Sequence, residues 1–64
     1  MQGVVTRVIG EKGFGFVQAD NVDYFFHKSA VKGDGFQALM EGQQVNFEPG
    51  KGPKGPRALS VDPI

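Results

Sequence analysis

The chain alternates short apolar runs with glycine-rich or polar breaks, and no run continues at the spacing of a long helix. β-branched and aromatic residues dominate the runs, a mix that favours strands over helices. This pattern predicts five strands, at residues 4–9, 14–18, 24–27, 45–48 and 57–61.

The breaks between these runs carry the residues that tight turns require. Residues 10–13 begin and end with glycine, and residues 19–21 hold an Asp and an Asn whose side chains can bond nearby backbone. Residues 28–43 form a long connection in which one helical turn is expected at 29–31, because three glycines discourage a longer helix. Glycine and proline at 49–56 predict a loop.

Three strands, a crossing connection and two further strands match a small five-stranded antiparallel Greek-key barrel, the OB-fold, in which closure removes exposed edges. An SH3-like barrel is the structural alternative. The first strand does not alternate cleanly, so we expect it to hold a β-bulge or to be buried on both faces. Alternation predicts core positions at Val5, Val17, Tyr24, Phe26, Val31, Leu39, Val45, Phe47, Leu59 and Val61.

The length of 64 residues predicts a single domain over residues 1–64. The absence of cysteine excludes a disulfide and fits a reducing compartment. No apolar run approaches a membrane span, and the first residues lack the basic start and apolar run of a secretion signal. We therefore expect a cytoplasmic monomer with no membrane partner.

Charge and side-chain inventory argue against several functions. Seven Lys and Arg balance seven Asp and Glu, so net charge indicates no partner. His27 is the one histidine, and Asp23 on the same strand lies about 13 Å away along an extended chain, too far for a hydrogen bond. A lone histidine with scattered carboxylates offers no metal-ligand spacing. We expect neither an enzyme nor a metal site, a cofactor or a small-molecule substrate.

Five of the seven aromatic residues fall between positions 14 and 26, on two strands that a short turn should place side by side. Residues two apart share a face, so Phe14 lies with Phe16, and Phe25 lies with His27. Filling the core is the commoner role of phenylalanine by residue type alone. A barrel this small, however, lacks the volume for up to six large rings. We therefore predict that one face of this strand pair is exposed.

Such an exposed aromatic array has the form that stacking of unpaired bases requires, because every base has a π-face. Lysines at its border would attract the phosphates between the bases. The sequence therefore predicts a protein that binds single-stranded nucleic acid with low sequence specificity. A small β-barrel module that uses the same face to bind proline-rich peptides is the alternative from another class.

Several segments resemble motifs of the bacterial cold-shock proteins. Residues 12–17, Lys-Gly-Phe-Gly-Phe-Val, are similar to the first ribonucleoprotein motif of that family, and residues 22–27, Val-Asp-Tyr-Phe-Phe-His, to the second. Residues 33–36 and 41–43 resemble the family's linker, and 54–58 its last loop and strand, so the resemblance spans nearly the whole chain. It implies a cold-shock domain that binds single-stranded RNA and DNA, as an RNA chaperone or transcription antiterminator.

The resemblance also implies roles for individual residues. Stacking on bases is implied for Phe14, Phe16, Phe25, His27 and Phe36. Contacts to the backbone or to base edges are implied for Lys12 and Arg57. We expect a positive border on the array at Lys12, Lys28, Lys54 and Arg57.

The chain departs from the family's pattern at two positions of the predicted site. Residues 6–9, Thr-Arg-Val-Ile, stand where most members have Lys-Trp-Phe-Asn, so Arg7 replaces the usual tryptophan. Lys28 stands where an aromatic usually follows the histidine of the second motif. A guanidinium offers a smaller π-surface and adds a charge. We therefore expect weaker stacking at Arg7 and a greater dependence on electrostatics.

Overall fold

The computed structural model describes residues 1–32, 35–53 and 55–64, and its architecture is an all-β closed barrel. Within these residues the barrel consists of β1 (Gln2–Ile9), β2 (Phe14–Ala19), β3 (Val22–His27), β4 (Gln44–Gly52) and β5 (Gly55–Pro63). The strands follow the order β1-β2-β3-β5-β4, and β4 pairs back to β1. The predicted OB-type Greek-key barrel is confirmed.

Neighbouring strands run antiparallel except β3 and β5, which pair in parallel at Phe25 and Arg57. The predicted antiparallel barrel did not include this parallel pair. It arises because the connection between β3 and β4 carries the chain to the far edge of the sheet, where β4 pairs with β1. β5 then returns antiparallel to β4 and closes the barrel beside β3.

The turn between β2 and β3 fixes the register of the two aromatic strands. Asp20 and Asn21 have φ values of 52° and 63°, the left-handed conformation that a tight two-residue hairpin turn requires. Asp and Asn tolerate this region better than other non-glycine residues. The turn places Phe16 opposite Phe25 and sets the whole β2–β3 pairing.

The connection between β3 and β4 holds two single-turn helices. A 3₁₀ helix spans Lys28–Ala30, close to the predicted turn. A four-residue helix, α1 (Gly35–Ala38), was not predicted. Packing explains it, because Phe36 in α1 and the following Leu39 lie against the core, and tertiary contacts stabilise a short helix that propensity alone does not. No helix among the described residues is long and apolar enough to cross a membrane.

The β4–β5 hairpin is longer than the sequence predicted. Residues 49–56 were expected to form a loop, but β4 continues to Gly52 and β5 begins at Gly55. Gly50 pairs with Arg57 across this extension. Glycine and proline are tolerated here because residues 49–52 of β4 pair with β5 alone, so the other side of this strand segment has no ladder partner.

The core follows the predicted alternation except at Leu59 in β5 and, in part, at Tyr24 in β3. Leu59 was expected to be buried, but it is 52% exposed, and Ala58 is fully buried instead. Glu48 pairs with Ser60 and Pro49 pairs with Ala58, so Leu59 is an extra residue in the ladder. This β-bulge resets the alternation. The buried apolar residues are Val5, Val17, Ala19, Phe26, Val31, Leu39, Val45, Phe47, Ala58 and Val61.

Tyr24, another predicted core residue, is half-buried rather than enclosed. It packs against the core, and its ring centroid lies 4.9 Å from that of Phe47. Its hydroxyl forms no side-chain hydrogen bond among the described residues and is not buried without a partner, so it reaches solvent while the ring covers apolar surface.

Candidate nucleic-acid interface

A second β-bulge turns Arg7 to the outer face of the barrel. Val5 pairs with Val17 and Arg7 pairs with Phe16, so Thr6 is the extra residue. Without it, Arg7 would point inward like Val5, two positions earlier. Of the two alternatives that the sequence left open for the first strand, the structure has the β-bulge, and it leaves Arg7 exposed beside Phe16.

Four side chains form a row across four adjacent strands of the barrel. Arg7 on β1 pairs with Phe16 on β2, Phe16 with Phe25 on β3, and Phe25 with Arg57 on β5. Strands lie about 4.8 Å apart, so the row spans about 14 Å from one arginine to the other. We call these four residues the transverse row.

Phe14 extends the transverse row into a cluster of three rings. Its ring centroid lies 6.1 Å from that of Phe16 and 5.4 Å from that of Phe25, and the Phe16 and Phe25 centroids lie 5.8 Å apart. All three rings are half-buried. Because each ring contacts the other two, the cluster holds its side chains in place while leaving part of each ring open to solvent.

His27 lies beside this three-ring cluster, paired with Phe14 across the β2–β3 ladder. Its Nδ1 accepts a hydrogen bond from the backbone N–H of Ser29 at 3.1 Å and lies 2.9 Å from the Ser29 hydroxyl oxygen. These contacts orient the imidazole. Ile9 pairs with Phe14 from the other side and was not among the predicted site residues. The register of β1 against β2 beyond the bulge places Ile9 beside Phe14, and the sequence does not specify this register.

A groove of about 530 Å³ opens between the three-ring cluster and the β4–β5 hairpin. The guanidinium carbon of Arg57 lies 5.8 Å from the ring centroid of Phe25, within the range of a cation–π contact. The groove is lined by Phe16, Asp23, Phe25, Gly52, Pro53, Gly55, Pro56 and Arg57.

Five of these lining residues were not predicted as part of the site: Asp23, Gly52, Pro53, Gly55 and Pro56. Alternation could have found Asp23, because it lies two residues before Phe25 on the same face of β3. Pro53 and Pro56 could not have been found from the sequence, because they border the groove through the unpredicted length of the β4–β5 hairpin.

The remaining predicted site residues are Lys12, Lys28, Phe36 and Lys54, and they do not all lie beside the three-ring cluster. Lys12 and Lys28 are exposed at one end of the array, where the Lys28 N–H donates to the Gly13 carbonyl at 2.8 Å. Among the described residues, the ring of Phe36 contacts that of the core residue Phe26 at 6.3 Å and contacts no ring of the three-ring cluster. Lys54 lies outside the described residues.

The cations of this face are not neutralised by ion pairs with the described residues. The ion pair that these residues form joins Lys32 to Asp62 at 3.7 Å, and neither side chain lines the groove. The described residues also contain no cluster of His, Asp or Glu arranged to hold a metal ion. The face therefore combines apolar rings with available positive charge.

A closed five-stranded barrel with a half-exposed aromatic cluster and flanking cations has the architecture of an OB-fold nucleic-acid-binding domain. The family model described as the 'Cold-shock' DNA-binding domain matches residues 1–64, and the chain belongs to this family of nucleic-acid-binding domains.

Named relatives agree with this assignment over most of their length. The chain is 53% identical to "Cold shock-like protein CspD" of Bacillus cereus, over 92% of this chain and 91% of that protein. It is 45% identical to "Probable cold shock protein A" of Mycolicibacterium smegmatis, over 98% and 97% of the two chains. It is 46% identical to "Cold shock protein CspC" of Bacillus subtilis, over 94% and 92%.

Proposed function

We propose that this protein binds single-stranded RNA and DNA by stacking bases on Phe14, Phe16 and Phe25, and that it acts as an RNA chaperone or transcription antiterminator of the cold-shock type. The observation that carries the proposal is the mutual contact of these three rings on one outer face of the barrel, between two arginines. Membership of the cold-shock domain family supports it.

Stacking supplies the affinity in this proposal. A base stacked on an aromatic side chain contributes roughly 1 to 3 kcal/mol, and each kind of base can stack. The rings already contact one another, so little side-chain entropy is lost when a strand binds. His27, oriented by Ser29, offers a further flat surface next to Phe14. Binding of this kind tolerates many sequences.

Local charge, rather than net charge, attracts the phosphates in this proposal. The formal net charge is zero, but Lys12 and Lys28 lie at one end of the array and an arginine lies at each end of the transverse row. A strand that crosses the rings would have its phosphates near these cations. The resulting attraction is screened by salt.

The proposed chaperone activity follows from this mode of binding. A base that is stacked on a phenylalanine is not available for pairing with another base. The protein would therefore bind only the unpaired form of a transcript, through many weak, sequence-tolerant contacts. Such binding shifts the transcript toward its unpaired state, and the shift grows with protein concentration.

Three measurements test this proposal: oligonucleotide binding, melting of an RNA hairpin and read-through of a transcription terminator. Labelled oligothymidine and oligouridine should bind with micromolar or tighter affinity at low salt, and the protein should lower the melting temperature of a small RNA hairpin. No binding to either strand would reject the nucleic-acid function and favour the peptide-binding alternative. Binding without an effect on hairpin melting would reject the chaperone role alone. Binding without read-through of a transcription terminator would reject the antiterminator role alone.

A further inference from the structure

We propose that Arg7 gives this interface a preference for guanine at the base that stacks on Phe16. The inference rests on the proposed nucleic-acid function and names a base that this particular site selects. It starts from the transverse row, in which a guanidinium stands directly beside a stacking ring.

The register places the Arg7 side chain next to any base on Phe16. The two residues are direct partners in the β1–β2 ladder, and paired residues project from the same face about 5 Å apart. A base stacked over the Phe16 ring lies above the sheet with its edges directed sideways. One of these edges faces β1, where Arg7 is exposed.

The Arg7 guanidinium is available for such a contact. Among the described residues it has no partner in a salt bridge or a side-chain hydrogen bond. Arg57, at the other end of the row, is half-buried and lies over the ring of Phe25. The two arginines are therefore not equivalent: the Arg57 guanidinium lies over a ring of the row, whereas the exposed Arg7 makes no such ring contact among the described residues.

Hydrogen-bond chemistry selects guanine. A guanidinium has five N–H donors in a planar fork and no acceptor. Guanine offers two adjacent acceptors, O6 and N7, whereas adenine offers one acceptor beside a donor, thymine one acceptor beside a methyl group, and cytosine a donor. An unpaired base leaves this edge open to a protein. On this edge, which carries N7 of the purines, the fork of Arg7 is thus matched at both positions by guanine alone, whereas the adjacent acceptors of cytosine, O2 and N3, lie on its Watson–Crick edge.

The position of Arg7 favours a base edge over a phosphate. Lys12 and Lys28 lie beyond the ladder positions of the three rings and are placed to meet the backbone of a strand. Arg7 instead lies within the row, level with Phe16. A contact to phosphate would carry no base preference, so the two possibilities predict different binding data.

The test compares short oligothymidine strands that carry one guanine at each position in turn. At the best position guanine should tighten binding by about five- to tenfold, the low end for a bidentate arginine contact because the site is exposed. Replacing that guanine by 7-deazaguanine, which lacks the N7 acceptor, should remove most of the gain. Arg7→Ala and Arg7→Lys should do the same, whereas Lys12→Ala, which removes an equal charge, should keep the guanine preference.

The outcomes separate this inference from the function on which it rests. No binding to any strand would overturn both. Binding that does not depend on the base would overturn the guanine preference and leave the proposed function intact. A preference that survives in Arg7→Ala would overturn the assignment to Arg7. Equal weakening of every strand by Arg7→Ala would identify a phosphate contact and would also overturn it.

Discussion

Gly15 lies directly opposite Phe26 in the β2–β3 ladder, and the Phe26 ring fills the space that a side chain on Gly15 would need. A Cβ at position 15 would lie 2.7 Å from Cζ of Phe26 and 2.5 Å from the carbonyl oxygen of Arg7. Phe26 is fully buried. Packing thus explains the Phe-Gly-Phe sequence of β2. The glycine leaves room for the buried Phe26 ring, while the phenylalanines on either side of it face outward.

The substitution Gly15→Ala should therefore destabilise the fold by about 1 to 3 kcal/mol, as overpacking does, because the close backbone oxygen cannot move aside cheaply. Urea denaturation measures the change. Gly10→Ala is the matched control, since position 10 is exposed, has no heavy atom within 4 Å of a built Cβ and has no positive φ. Equal stabilities of the two variants would contradict the packing argument.

The substitution Phe16→Ala should weaken oligothymidine binding by roughly 1 to 3 kcal/mol, the contribution of one stacked base. Its cost in stability should be smaller than the roughly 3 to 5 kcal/mol of a buried Phe→Ala change, because the ring is half-buried. Fluorescence titration and thermal melting measure the two effects on the same samples.

Phe47→Leu is the control for Phe16→Ala. Phe47 is 4% exposed and packs on Tyr24, outside the three-ring cluster. Its substitution should lower the melting temperature and leave the affinity of the folded fraction unchanged. If Phe16→Ala behaves in the same way, then Phe16 contributes to the core and not to binding.

The affinity for oligothymidine should fall with salt although the protein has no net charge. If three phosphates are neutralised, the slope of log affinity against log salt should be about −2, from roughly 0.7 per contact on a single strand. Lys12→Ala should reduce this slope by about 0.7 in magnitude. Lys32→Ala should leave it unchanged, because Lys32 pairs with Asp62 and does not line the groove. A slope near zero in the unmodified protein would contradict a positive border.

The sequence predicts the geometry of the aromatic strand pair well, because the features that set it are local. Period-two alternation puts Phe14 with Phe16 on one face, and the positive-φ residues Asp20 and Asn21 form a two-residue turn that brings β3 alongside. The ring contacts follow from those two facts. The closed barrel was also predictable, because the order of short strands and one long connection has few closed solutions.

The sequence does not predict features that depend on distant pairing. Leu59 was placed in the core because alternation from Val61 puts it there, but the register of β5 is set by β4, and the extra residue in the ladder leaves Leu59 exposed. The β4–β5 hairpin is longer than its glycines and prolines suggest for the same reason. The ring contact of Phe36 with buried Phe26 likewise depends on the long connection between β3 and β4, and its assignment to stacking stays a prediction.

The β1 bulge at Thr6 determines what a substitution at position 7 does. Because the bulge turns Arg7 outward beside Phe16, a flat side chain at position 7 would extend the stacking surface by one ring. An indole stacked on a base makes a large apolar contact that salt barely affects, whereas a guanidinium combines a smaller contact with a screened charge. Tryptophan should therefore be the better stacking residue here, as the family's usual pattern implies.

The substitution Arg7→Trp should tighten binding to oligothymidine by about 1 kcal/mol, roughly one additional stacking contact, and should flatten the salt slope by less than the roughly 0.7 of one phosphate contact, because the lost cation lies level with the rings rather than at the border. Titrations of both proteins at low and high salt measure the two effects together. Lys32→Trp is the matched control, since it removes an equal charge and adds an indole on an exposed position outside the groove, and it should change neither quantity. Equal affinities and equal slopes for Arg7→Trp and the unmodified protein would show that position 7 lies outside the binding surface, despite its pairing with Phe16.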